Sequence, residues 1–174
     1  MVAALVLAWV AAEPVVVDFE GATVYLANDK ANRLEQWVEK GVTFRLAHAP
    51  RQSKAKGLVM FFEHLATGRK GIASAMALEA IPVLATLPVM ADSVTVSFWG
   101  STGVPAVLEA LDAEGKVLDR ASVAAAPARQ NPGDPAPVFA LTVKGARIAR
   151  IQFSGPRPGE YLAADEVRFT PAPE

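Results

Sequence analysis

Ser93-Val-Thr-Val-Ser-Phe98 sets polar and apolar side chains in unbroken alternation. A period of two puts Val94, Val96 and Phe98 on one face and Ser93, Thr95 and Ser97 on the other. Such a strand has one dry and one wet side, as in an antiparallel sheet packed on a core. Upstream, Gly41-Val-Thr-Phe-Arg-Leu46 repeats the pattern with Val42, Phe44 and Leu46 inward, and Val15-Val-Val-Asp-Phe-Glu20, stopped by Gly21, groups Val15, Val17 and Phe19. Leu58-Val-Met-Phe-Phe62 is apolar throughout, as expected of a strand covered on both faces. Downstream, Ala106-Val-Leu-Glu-Ala-Leu111 and Lys116-Val-Leu118 flank Asp112-Ala-Glu-Gly115. Asp at the first position and Gly at the fourth suit a type I turn closing a hairpin. With Phe139-Ala-Leu-Thr-Val143, Ile148-Ala-Arg-Ile-Gln-Phe153 and Ala164-Asp-Glu-Val-Arg-Phe169 the strands number about nine, which predicts an all-β fold of two packed antiparallel sheets.

Two stretches depart from this pattern. Gly71 to Ala91 is rich in Ala and Met, yet Pro82 and Pro88 interrupt it, so it reads as strand or irregular crossover rather than helix. Asn32-Arg-Leu-Glu-Gln-Trp-Val-Glu39 reads as one helical turn or a connecting loop, and Ala126 to Pro137, with four prolines, as loop. The chain has 174 residues, 52% apolar and 20% charged, which suits one domain with a single core. A net charge of −1 leaves no electrostatic footprint for nucleic acid. The absence of cysteine excludes disulfides and thiol chemistry.

Val2 to Val10 is an apolar run too short to span a bilayer. Val10-Ala11-Ala12 then brings small residues ahead of Glu13-Pro14, so residues 1–12 read as the tail of a signal peptide. The alternative, a buried first strand, is disfavoured by the alanine content. No basic segment precedes the run, which points to a start further upstream. The expectation is a secreted or periplasmic domain over residues 13–170, with a tail at 171–174 and no stable membrane insertion of the mature chain.

The order Phe19-Glu20-Gly21, Gly41-Val-Thr-Phe44, Val94-Thr-Val-Ser-Phe98, Leu111-Asp-Ala-Glu-Gly115, Ile151-Gln-Phe153 and Ala164-Asp-Glu-Val-Arg-Phe169 resembles the galactose-binding-like jelly rolls. That family includes non-catalytic carbohydrate-binding modules and exported bacterial proteins. The resemblance covers Val15 to Phe169. It implies a jelly-roll β-sandwich, a sugar-binding face, and often a structural calcium ion held by acids of the first and last strands. Here those acids are Glu20, with Asp18 as an alternate, and Asp165, with Asn28 or Asp29 adding oxygens. Alternation through Ala163, Asp165, Val167 and Phe169 turns the Asp165 carboxylate toward the core, where it needs a compensating partner. Two partners are open: calcium, whose six to eight oxygen ligands such acids could begin to supply, or backbone amides and an arginine.

Candidate ligand-binding residues are Trp99, Arg69 and His64. Trp99 follows the Val94, Val96, Phe98 register and so points to the opposite face, beside Gly100-Ser-Thr-Gly103. An outward indole there could stack on a sugar ring, or a neighbouring loop could cover it. Glu63-His64, close to Arg69 and Lys70, could decorate a binding loop. Two histidines sixteen positions apart make no zinc motif. No Gly-x-Ser-x-Gly elbow or phosphate loop is present, and the paired acids lie at the first and last strands, where a metal site at the sandwich edge fits better than a catalytic cleft. The expected function is therefore non-catalytic binding of carbohydrate, or adhesion. The alternatives are a protein-interaction module of an envelope or matrix assembly and, third, a glycan-active enzyme.

Overall fold

A computed structural model describes residues 12–24, 34–51, 59–64, 66–74, 79–101, 103–131, 133–154 and 162–173. Within them lie ten strands: β1 (Val15–Val17), β2 (Gln36–Glu39), β3 (Val42–Leu46), β4 (Val59–Glu63), β5 (Lys70–Ser74), β6 (Val83–Gly100), β7 (Ala106–Leu111), β8 (Val117–Val123), β9 (Phe139–Ser154) and β10 (Leu162–Pro171). All strand pairs are antiparallel. The proposed signal segment, residues 1–11, lies outside the described residues.

Two strands are long enough to serve both layers. The first part of β6 (Val83 to Thr86) pairs with β3 and with the end of β9, while its second part (Ala91 to Gly100) pairs with β10 and with the start of β9. The β6–β9 register shifts between Thr86 and Ser93, across Leu87-Pro88-Val89-Met90. A proline cannot donate to a ladder and sits where pairing lapses. Opposite it, β9 turns through Arg147 at φ 65°. The two bends fold one continuous ladder into two facing layers, as strands that switch sheets at bulges do. One layer runs β4-β5-β10-β6-β9, with β1 also on β10; the other runs β2-β3-β6-β9-β7-β8. This is a jelly-roll sandwich, with ten strands against the nine expected.

Between the layers, the residues that alternation placed inward are buried: Val17, Phe19, Val42, Phe44, Val94, Val96 and Phe98 are all fully enclosed. Rings meet across the gap, Phe19 with Phe44 at 5.1 Å and Phe98 with Phe153 at 5.6 Å. The predicted hairpin forms: Asp112 Oδ1 accepts from the amides of Glu114 (3.1 Å) and Lys116 (2.8 Å), and Gly115 takes φ 89°. The segment before Gly41 departs from expectation, because Gln36–Glu39 is a strand on β3 rather than a helical turn. Its Trp37 packs on Phe61 at 5.1 Å. Its Glu39 accepts hydrogen bonds from Trp37 Nε1 (3.0 Å) and from the amide of Phe19 (3.2 Å).

Phe19 takes a left-handed backbone conformation, φ 60°, which a bulky residue adopts only when its surroundings compensate. The compensation is burial between Phe44 and Phe61 and the Glu39 cap. Phe19→Ala should therefore cost about 3–5 kcal/mol, read as a lower urea midpoint with an unchanged slope.

Candidate functional site

The structure brings the predicted residues into one neighbourhood, but as an enclosed cluster rather than an open site. Trp99 lies on the face opposite Phe98, as alternation requires. It is 3% exposed, packed with Phe62, Ala73, Ala163 and Ala136 of the 124–138 loop. This corrects the expectation of a stacking platform: no ring face is open to a sugar. The indole can settle there because position 71 is glycine. A Cβ at Gly71 would stand 3.0 Å from Ala163 Cβ and 3.2 Å from Trp99 Nε1, contacts too close for a side chain. His64, also buried, meets Trp99 edge-on at 5.2 Å. Its Nε2 lies 2.7 Å from the Ala136 carbonyl, which can only accept, so Nε2 carries a proton and Nδ1 is left to the Thr67 hydroxyl at 3.1 Å. Both ring nitrogens are thus spent pinning the covering loop, and His64 too has no free atom for a ligand.

Asp165 is fully buried, for a reason alternation alone does not give. The β10–β6 register slips between Ala164 and Glu166, so Asp165 is the extra residue of a bulge. Ala164 faces the main core while Ala163 faces the Trp99 cluster. Arg69 Nε stands 3.2 Å from Asp165 Oδ1, an ion pair without the alignment of a hydrogen bond, and neither oxygen finds a hydrogen-bond partner among the described residues. Burial pushes the Asp165 carboxyl above the ordinary carboxylate range, against the pull of Arg69. Arg69 spans outward to Glu166 Oε2 (3.3 Å), which Arg168 also binds through Glu166 Oε1 (3.1 Å).

These groups do not fit a calcium ion. The guanidinium already faces the Asp165 carboxylate, and Glu20 Oε1 accepts from the Lys70 amide (3.3 Å). Asp18 Oδ1 accepts from the Glu20 amide (3.3 Å). Among the described residues no three histidines, cysteines or carboxylates converge as metal ligands; Asn28 and Asp29 lie outside them.

A second surface escaped the sequence reading. On the outward side of the β2-β3-β6-β9-β7-β8 layer, cross-strand register sets Gln36, Arg45, Leu84, Gln152, Glu109 and Arg120 in one row. Gln152 Nε2 donates to Glu109 Oε2 at 2.7 Å, and Arg120 Nη1 lies 3.7 Å from Glu109 Oε1. Leu84, 7% exposed, gives the row an apolar floor. A neighbouring row leads through Thr43 and Thr86 to Arg150, whose Nη2 donates to the Ala113 carbonyl at 2.7 Å. Thr86, Met90, Ala113 and Arg150 line a recess of about 360 Å³ where this row ends. Amide, carboxylate and guanidinium groups held side by side offer both donors and acceptors, the complement of a hydroxyl-bearing ligand.

No family model and no curated protein sequence matches the chain. Among solved structures, the chain is similar to the K1 cleaved adhesin domain of Lys-gingipain from Porphyromonas gingivalis, at a TM-score of 0.53 and 11% identity over 92% of this chain and 99% of that one. The K2 cleaved adhesin domain of Lys-gingipain gives 0.53 and 15% over 91% and 99%. A carbohydrate-binding module solved with β-1,4-galactotriose aligns over 73% of this chain and 88% of its own, at 15% identity, but at a TM-score of only 0.43. At these identities the likeness is one of fold. The chain is an all-β jelly-roll sandwich, the fold expected from its order of strands.

Two outcomes follow for the buried cluster. A raised folded pKa means the native state keeps the Asp165 proton where the unfolded chain, near 3.8, has lost it. Stability therefore rises as pH falls from neutral through the folded value, and levels off below the unfolded one. Asp165→Asn should accordingly melt above the wild type at about pH 7, with the gap closing toward about pH 4. Excess EDTA should leave the wild-type melting midpoint where it was, since a bound ion would have stabilised the fold.

Proposed function

We propose that the chain is a non-catalytic, exported binding module that engages carbohydrate, or a glycan-coated surface in adhesion, through the outward face of the β2-β3-β6-β9-β7-β8 layer. The observation that carries this reading is the row through Gln152 and Glu109. Their 2.7 Å hydrogen bond fixes a carboxylate and an amide side by side, so little ordering remains to be done when hydroxyl groups arrive. A ligand laid across six strands, spaced about 4.8 Å apart, meets a polar side chain on every strand of the row but β6, where Leu84 stands. Cleavage is disfavoured, because Glu109 is the one carboxylate on this row among the described residues, and glycosidic hydrolysis ordinarily uses two. The adhesin role that names the two gingipain domains belongs to the same class of activity. The apolar run of residues 2–10 ahead of Ala11-Ala12 supports export.

Screening against a glycan array, followed by titration with the best ligand, tests the proposal. Gln152→Ala and Arg120→Ala should each weaken binding by about tenfold, the loss of one hydrogen bond to the ligand. Trp99→Phe should leave affinity unchanged. Wild-type affinity in both face variants, with the fold intact by circular dichroism, would refute this face as the site.

A further inference from the structure

We infer that the glycan taken by this face is anionic, a polymer bearing carboxylate or sulfate groups; the inference rests on the binding role proposed above and narrows its ligand class. The whole chain is nearly neutral at −1, but this face is not. Its strands carry Arg45, Arg120 and Arg150 against Glu109, while Asp112 and Glu114 lie in the turn beside Arg150. Arg45 is exposed and forms no ion pair among the described residues. Arg150 is held against the 112–115 turn by the Ala113 carbonyl, which fixes its position, and it forms no ion pair among the described residues. Past Val89 and Met90 a second recess, of about 340 Å³, carries the exposed Arg147, and it too lacks a carboxylate partner among the described residues. Arg45 and Arg150 on the sheet and Arg147 in the recess beside it are thus the cations that this side offers.

Chemistry on the face points the same way. Neutral sugars are ordinarily gripped by an aromatic plane against their C–H faces, yet the described outward residues of this layer include no aromatic ring. What they offer instead is the planar guanidinium fork, which matches carboxylate and sulfate oxygens in pairs. From Arg45 on β3 to Arg120 on β8 the row crosses four strand spacings, about 19 Å. That length suits a polymer with repeated charges better than a single small anion.

The test uses the full chain with five probes: polygalacturonate, its methyl ester, dextran sulfate, neutral dextran, and single-stranded DNA as a non-glycan polyanion. Polygalacturonate or dextran sulfate should bind, and which of the two is tighter tells carboxylate from sulfate. Raising salt from about 0.05 to about 0.5 M should weaken that binding at least tenfold, because exposed charges are screened. Arg45→Gln should weaken it about tenfold, whereas Arg168→Gln, on the other layer, should not. Binding of the methyl ester or of neutral dextran as tight as that of the better-bound charged polymer would overturn the inference while leaving carbohydrate binding standing. Equal affinity for DNA would overturn the choice of a glycan, and failure of every sugar to bind would remove the proposed function itself.

Discussion

The pairing of β6 with β9 is the constraint on which the rest of the molecule depends. Each strand contributes one half to each layer, so a single ladder holds both sheets in place and fixes their relative orientation at the shared bend. Antiparallel pairing transmits register along its whole length, and a slip by one residue would turn every core side chain outward. The break at Leu87 to Met90 and the turn at Arg147 are therefore not defects. They absorb the change of direction locally, leaving Val94, Val96 and Phe98 facing one way and Ala85 and Val83 facing the same interior from the other layer.

That arrangement creates two outward faces of different character. One is partly closed: the 124–138 loop lies over Trp99, and its hold depends on His64 and on the missing side chain at Gly71. The bulge at Asp165 belongs to this closure. It throws Ala163 toward the tryptophan while keeping Ala164 in the core, and it leaves a carboxylate stranded inside, offset by the half-exposed Arg69. A buried ion pair of this kind is poor evidence of net stabilisation, since desolvation can exceed the attraction. The upward shift of the Asp165 pKa is the sign that it does so here.

Much of the fold was legible because its signal is local. Alternation in Val42–Leu46 and in 93–98, and the Asp112 to Gly115 turn, depend only on neighbouring residues, and each took the form expected. The strand at Gln36–Glu39 was not legible, since Gln and Glu flanking Trp37 and Val38 have weak preferences and become a strand only by pairing with β3. Asp165 was correctly read as buried, but the bulge that buries it breaks the period of two on which that reading relied. Trp99 was placed on the correct face; whether that face was open turned on Ala136, distant in sequence. The Gln152–Glu109 row was invisible for the same reason. Its members come from six strands, and nothing in their spacing says that β3, β6, β9 and β7 lie side by side.

The division between the faces bears on how a small sandwich acquires a binding surface. Large aromatic side chains are drawn inside by the area they bury, at roughly 25 cal/mol per Å², and here Trp99 and Trp37 both went to packing. An outward face whose described residues include no ring must recognise its partner by hydrogen bonds and charge. Such groups in water contribute little singly, because each exchanges one polar partner for another. They become effective when held in fixed geometry and repeated along an extended ligand. A ladder of six strands supplies that repetition, with Gln152 and Glu109 locked together between Arg45 on one side and Arg120 on the other. The same rigid pairing of β6 with β9 that closes the core therefore sets the spacing at which the surface can read a partner.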